Sequence, residues 1–304
     1  MLHRIEFHSM GCRMLAVVDS GSRPRILRDV PAWFEEWEQS LSRFRSDSEL
    51  CQLNIRDGQS IPVSRTLWDV YQTSLEARLI TDGLVSPLVL DALLYAGYDQ
   101  SFERISDGAP RFSLDDEAAA VSLADIAADA AACSICLPKG ARLDFGGVAK
   151  GWAAHQAMKR LKAAGPALVD AGGDIAVSGP RSNGEPWLIG VADPFHPDRH
   201  LEIIYLESGG VATSGKDYRH WTRGGIQQHH IIDPRTGLPA ETDVLAATVV
   251  APTVMEAEAI AKAVMISGGR AGLMRLEGDT SLAGLLVLEN GERLDSWNFR
   301  RFLS

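Results

Sequence analysis

The sequence predicts an α+β fold, and three observations carry that expectation. Apolar residues recur at helical spacing in some segments, with Trp33, Trp37, Leu41 and Phe44 the clearest set. Other segments, such as DVLAATVVA at 243–251, are short and rich in β-branched residues, as strands are. The two kinds alternate along 304 residues with no repeat of about 20–50 residues, which excludes a solenoid or propeller. With 45% hydrophobic and 23% charged residues, the chain can bury a full core, in one large domain or two intimate ones.

Taken in order, residues 3–18 read as a strand that turns at Asp19-Ser20-Gly21-Ser22, and 31–44 as a helix. A second helix is expected over 65–81, with Gly83 in the place of a terminator. The short segment SPLVLDALLYAGYD follows, and the acidic stretch at 100–130 reads as peripheral. A strand at 131–137, a turn at Pro138-Lys139-Gly140 and a helix over about 149–163 come next. That helix places Ala154, Met158 and Leu161 on one core-facing side and Trp152 on another. Strands at 167–170, 174–178, 186–192, 202–207, 209–213 and 243–251, a helix at 254–266 and a strand at 283–289 complete the pattern.

A formal charge of -10, with no basic stripe or tail, argues against general binding of nucleic acid or of an anionic membrane. A polyanionic ligand would therefore have to be held locally, by backbone N–H groups, a metal or a few cations. The opening residues alternate like a strand and contain no apolar run suited to a signal peptide or membrane span, so a cytoplasmic location is expected. Four cysteines suit a reducing compartment. Cys133 and Cys136 have CxxC spacing, but in a strand residues three apart face opposite ways, which is poor geometry for shared metal ligation.

The densest chemical signal is LDFGGVAKG at 143–151, echoed by DAGGD at 170–174. Each sets a glycine pair beside an aspartate, where backbone can approach a ligand closely and a carboxylate can fix its polar edge, as at a nucleotide site. Thr213 and Ser214 in ATSG follow a strand, although such a segment is also a common turn. His229 and His230 precede the turn Asp233-Pro234-Arg235-Thr236-Gly237, whose plain reading is a type I turn with a solvated arginine. Adjacent histidines in a strand point opposite ways, so at most one faces a site. Glu258 and Lys262 lie four apart on a helix, where an exposed pair would contribute only about 0.2–0.5 kcal/mol.

In order, MGCR (10–13), FRSDSELCQLN (44–54), LVSPLV (84–89), LDFGGVAKGWA (143–153), DAGGDI (170–175), ATSG (212–215), HHIIDPRTG (229–237) and TVVAPTVMEAEAIAKA (248–263) resemble the FAD:protein FMN transferases, the ApbE-like family. The resemblance runs from about residue 5 to 290. It implies antiparallel sheets flanked by helices in a T-fold-related, two-lobed architecture, with 1–304 acting as a single flavin-transferase domain. It further implies that FAD lies between the lobes with Mg2+ at its diphosphate. A Ser or Thr hydroxyl of an acceptor flavoprotein then takes FMN and AMP departs. The alternatives are an FAD-binding or FAD-storing protein with weak or no transfer, and a diphosphatase giving FMN and AMP.

On the same template Met10 and Phe44 pack against the flavin or adenine, and Leu84, Val85 and Ser86 line the nucleotide. Asp144 and Lys150 hold polar groups, Gly172, Gly173, Thr213 and Ser214 belong to the cofactor site, and Ile232 contributes backbone contacts. His230 is the candidate base, with His229 as its substitute if the register shifts, and Asp174 and Asp233 are orienting carboxylates. Family metal positions fall on Gly147, Glu258, Ala261 and Lys262. A lysine ammonium offers no lone pair to Mg2+. Three readings follow: Lys262 stands in for the ion, loss of the ion weakens transfer, or Lys262 swings outward and Glu258, Gly147 and water hold Mg2+.

Overall fold

In the computed structural model, which describes residues 1–56, 58–105 and 122–303, the chain separates into two compact units. One comprises Met1–Phe34, Lys150–Tyr218 and Glu241–Ser304, and the other Glu35–Ala149 and Arg219–Ala240. The middle of the acidic stretch expected to be peripheral, 106–121, lies outside the described residues.

The first unit is built on one antiparallel sheet. Among the described residues its strands run, edge to edge, Leu2–Ser9, Cys12–Asp19, Ala167–Ala171, Asp174–Val177, Gly209–Gly215, Val244–Ala251, Ala283–Leu288 and Arg293–Asp295. Every neighbour in space is also the next sheet strand in sequence. The edge strand Leu2–Ser9 alternates exposed and half-buried residues, whereas Ala283–Leu288 is buried throughout, the pattern of a strand covered on both faces. One cover is the hairpin Trp187–Ala192 with His200–Leu206, whose Trp187, Ile189, Val191 and Ile204 pack with Val211, Val250 and Leu285. The helix Val254–Ser267 lies on the opposite face, since a Cβ on Gly210, which points away from the Val211 side, would run into the Val254 backbone.

The second unit carries the helices Glu49–Asn54, Arg65–Ile80 and Leu90–Ala96, a three-stranded sheet of Ser60–Pro62, Ser134–Cys136 and Ala127–Asp129, and the hairpin His220–Arg223 with Ile226–His229. Ser48 and Ser64 cap the first two helices by accepting from Cys51 and Leu67 N–H. No helix among the described residues is long and apolar enough to cross a membrane.

The structure corrects four local expectations. Residues 3–18 are two strands rather than one, because Met10 and Gly11 adopt left-handed φ and close a hairpin. Thr213 and Ser214 sit within the strand Gly209–Gly215, not in a turn after it. The helix starting at Val30 ends at Leu41, which leaves Phe44 outside it and exposed. Trp152 is buried along with Ala154, Met158 and Leu161, since the helix Ala149–Leu161 is enclosed on more than one side. The helix Gly269–Glu277 and the edge strand Arg293–Asp295 were not expected.

Candidate active site

In the first unit, four charged side chains meet where the helices Ala149–Leu161 and Val254–Ser267 come together. Gly151 makes that approach close: a Cβ there would stand 2.7 Å from Glu258 Oε2 and 3.2 Å from the Val254 carbonyl oxygen. Glu258, fully buried, uses Oε2 to accept from the Gly151 N–H at 2.9 Å, in the first turn of a helix whose leading N–H groups lack helical partners. Its Oε1 accepts from Lys262 Nζ at 3.0 Å and lies 3.6 Å from Lys150 Nζ. Lys150 Nζ also donates to Asp174, at the start of the strand Asp174–Val177.

These contacts set the charge states. Burial works against the Lys150 ammonium, but Asp174 and Glu258 outweigh it and hold its pKa above the ordinary lysine value. Burial also works to raise Glu258, yet Lys262, Lys150 and the Gly151 N–H keep it below the usual glutamate range. Burial and the adjacent Glu258 carboxylate push Asp174 up to about 7 against the pull of Lys150 and Lys262.

Around this cluster lie other expected residues. Gly172 and Gly173 form the two-residue turn between Ala167–Ala171 and Asp174–Val177, with φ of +66 and +95°. The Asp170 carboxylate accepts from Gly173 N–H at 2.7 Å, and a Cβ on Gly172 would meet Cys12 Sγ at 2.8 Å. Thr213 Oγ1 is 2.9 Å from Thr248 Oγ1 on the paired strand, and Ser214 is buried. Met10 occupies the first hairpin turn.

The second unit gathers a different set. Arg43, its side chain 7% exposed, places Nε 3.0 Å from Asp144 Oδ2 and donates from Nη1 to the Tyr98 carbonyl at 2.6 Å. Its guanidinium lies 4.0 Å from the Phe44 ring centroid and 4.3 Å from that of Tyr98, within cation–π range. Burial lowers the Arg43 pKa despite Asp144 nearby. Arg43 Nη2 is buried and has no hydrogen-bond partner among the described residues. Asp144 Oδ1 accepts from Gly146 N–H at 2.9 Å, and Asp144 N–H reaches the Pro87 carbonyl at 2.8 Å, so the SPLV and LDFGG segments are joined through one residue. Leu84 and Val85 are buried, and Ser86 Oγ accepts from Leu88 N–H.

His230 stands edge-on to Tyr98 at 6.4 Å, with Nδ1 3.5 Å from the Arg219 carbonyl oxygen. His229 instead places Nε2 3.1 Å from the Ala240 carbonyl and receives the Ile231 N–H at Nδ1. Asp233 is engaged by Arg235, whose Nε and Nη2 reach its two oxygens at 2.9 and 2.7 Å, and Ile232 is buried with Tyr98 and Trp221. Arg43, Tyr98 and Trp221 escaped the sequence reading. A lone arginine beside a motif reads as solvated, and the Trp221 N–H that bonds the Ala96 carbonyl joins segments 125 residues apart. Asn54 had a signal, as the last residue of FRSDSELCQLN: its amide both donates to and accepts from the Leu143 backbone at 2.8 Å.

Of the expected metal positions, the side chains of Glu258, Ala261 and Lys262 do not fit an ion. Both Glu258 oxygens are taken by N–H groups, Ala261 offers no side-chain oxygen, and Lys262 presents a cation. Among the described residues, no three His, Cys, Asp or Glu side chains group in a way that could hold a metal ion.

An antiparallel α+β scaffold with buried carboxylates beneath paired lysines defines a protein suited to an anionic ligand. The comparisons give its family. The model described as the ApbE family matches residues 10–286, and the chain belongs to that family. It is 27% identical over 275 residues to the FAD:protein FMN transferase of Salmonella typhimurium strain LT2, covering 86% of this chain and 77% of that protein. The ApbE protein of Thermotoga maritima MSB8 superposes over all of both chains with a TM-score of 0.88 at 26% identity. The apo flavinyl transferase ApbE of Pseudomonas stutzeri gives a TM-score of 0.83 at 23% identity over 100% of this chain and 97% of that one, a likeness of fold. The expected α+β, antiparallel architecture is thus the observed one.

Proposed function

We propose that this chain transfers FMN from FAD to a Ser or Thr hydroxyl of an acceptor protein, releasing AMP. The observation that carries the reading is the family match over residues 10–286, with relatives of that name aligned over most of the chain. In the reaction the acceptor oxygen forms a bond to the FMN phosphorus while the bond from that phosphorus to the bridging oxygen breaks. AMP leaves with the bridging oxygen, and the hydroxyl proton passes to a base. Such a reaction needs positioning, charge neutralisation and proton removal rather than covalent help from the enzyme.

His230 is the proposed base, since an imidazole near neutral pKa suits the task. Lys150 and Lys262 supply positive charge to the diphosphate, and Asp174 and Glu258 hold those ammonium groups in place. Phe44, Asp144 and the buried Arg43 present an aromatic and polar surface for a ring of the dinucleotide. The other proposed nucleotide contacts are Met10, Gly172, Gly173, Thr213 and Ser214 in the first unit and Leu84, Val85, Ser86 and Ile232 in the second, where Asp233 is the proposed orienting carboxylate for His230. The whole of 1–304 acts as one functional unit in this reading, and its four free cysteines suit a reducing, cytoplasmic setting.

Incubation with FAD and an acceptor carrying a Ser/Thr flavinylation motif tests the reading. Flavin fluorescence that stays with the denatured acceptor, together with AMP, is the expected result. FMN and AMP accumulating without acceptor would make the protein a diphosphatase. Tight FAD binding without any product would make it a binding module, a reading that the lysine at position 262 favours.

A further inference from the structure

The four-residue cluster has a direction. Its carboxylates lie underneath, with the side chains of Asp174 and Glu258 2% and 0% exposed, while those of Lys150 and Lys262 are 17% and 16% exposed. Two formal positive and two formal negative charges therefore cancel in sum but not in space. The part of the cluster that solvent reaches is lysine side chain. Each ammonium has three N–H donors. Lys262 donates one to Glu258 and Lys150 one to Asp174, with Glu258 Oε1 at a longer 3.6 Å from Lys150. Donors therefore remain on both groups for a ligand.

The sharing is as telling as the exposure. Lys150 and Lys262 come from different helices, yet Glu258 Oε1 faces both. That single oxygen draws together two like charges that would otherwise repel. Glu258 is itself fixed through Oε2 by the Gly151 N–H. The result is a preorganised pair of cations on a buried anionic base, which is what a diphosphate requires and what a divalent ion supplies elsewhere.

We infer that Lys150 and Lys262, gathered on Glu258, form a metal-independent binding site for the diphosphate of a dinucleotide. Lys262 supplies as a fixed point charge what an ion would supply. The inference rests on the FAD reading above and adds to it that Mg2+ has no part in holding this ligand.

The test is FAD binding to the full chain, followed by flavin fluorescence in EDTA and across a Mg2+ series, with melting temperature recorded for every variant. Wild type is expected to bind FAD equally in EDTA and in Mg2+. Lys262→Gln should lose about tenfold or more in affinity in EDTA, as expected when a charged hydrogen bond to a phosphate is removed, while Lys262→Arg retains most of it. Lys262→Thr combined with Ala261→Asp should bind weakly in EDTA and regain affinity on adding Mg2+. Wild-type binding that is lost in EDTA and restored by Mg2+ overturns the inference and leaves the FAD reading standing. No FAD binding in either condition, from folded protein, overturns the FAD reading itself. If the Lys262 variants melt early, wild type in EDTA and in Mg2+ still decides the matter alone.

Discussion

Arg43 and Asp144 form a buried ion pair, Nε to Oδ2 at 3.0 Å, which ties the residue just before Phe44 to the LDFGG segment. The same guanidinium rests on the Phe44 and Tyr98 rings. Residues proposed to meet FAD are thus held by one another before any ligand arrives. Removing one partner of such a pair leaves the other charge buried and uncompensated, at about 3–5 kcal/mol. Arg43→Gln and Asp144→Asn should each destabilise by about that amount in chemical denaturation. The double variant should lose less than the sum of the two, and strict additivity would show that the pair is not coupled.

Asn54→Ala strips two hydrogen bonds from the Leu143 backbone, one residue before Asp144. Each buried backbone group left unpaired costs about 1–3 kcal/mol. A lower melting temperature and weaker FAD binding are expected together, because the loosened segment carries Asp144. A variant that melts early but binds FAD like wild type would separate the anchor from the site.

Gly151→Ala puts a Cβ against Glu258 Oε2 and the Val254 carbonyl, and the latter is backbone that cannot swing aside. Overpacking of this kind costs about 1–3 kcal/mol. It also displaces the carboxylate that gathers the two lysines, so FAD affinity should fall with stability. Unchanged FAD affinity would mean that Glu258 does not position Lys150 and Lys262.

Acid should expose the Asp233–Arg235 contact. Hydrogen bonds from Arg235 hold the Asp233 carboxyl below its ordinary value. A depressed acid contributes stability above its unfolded pKa, about 3.9 for aspartate, and loses it as pH falls through the lower folded value. Asp233→Asn should therefore melt below wild type at pH 7, and the gap should close on titration below about pH 3.9. A gap that stays constant with pH would assign the loss to turn geometry rather than charge.

How much of this was legible in the sequence depends on where the information lies. Val244–Ala251 and Ala283–Leu288 were legible because largely apolar runs of 8 and 6 residues are short for a helix and suit a strand covered on both faces. Met10 concealed a hairpin, since methionine is not a turn former and the signal rested on Gly11 alone. Phe44 continued the helical period of Trp33, Trp37 and Leu41 past the point where the helix stops. Lys150, Asp174, Glu258 and Lys262 were each visible, but that one oxygen of Glu258 serves both lysines is a property of packing. The plain reading of Glu258 and Lys262 as an exposed pair does not hold, because Glu258 is fully buried.

The order of the sheet also bears on how the chain is made. Cys12–Asp19 pairs with Ala167–Ala171, so two neighbouring strands are separated by everything from 20 to 166. At equilibrium this costs little, since each doubling of a closed loop adds only about 0.6 kcal/mol. During synthesis it imposes a wait. The hairpin of Leu2–Ser9 and Cys12–Asp19 leaves the ribosome before its partner strand, with the ladder groups of its inner strand unpaired until Ala171 has emerged. For that interval a strand that will be internal, second from the sheet's edge, is itself an open edge, and the nascent chain is exposed to misassociation there.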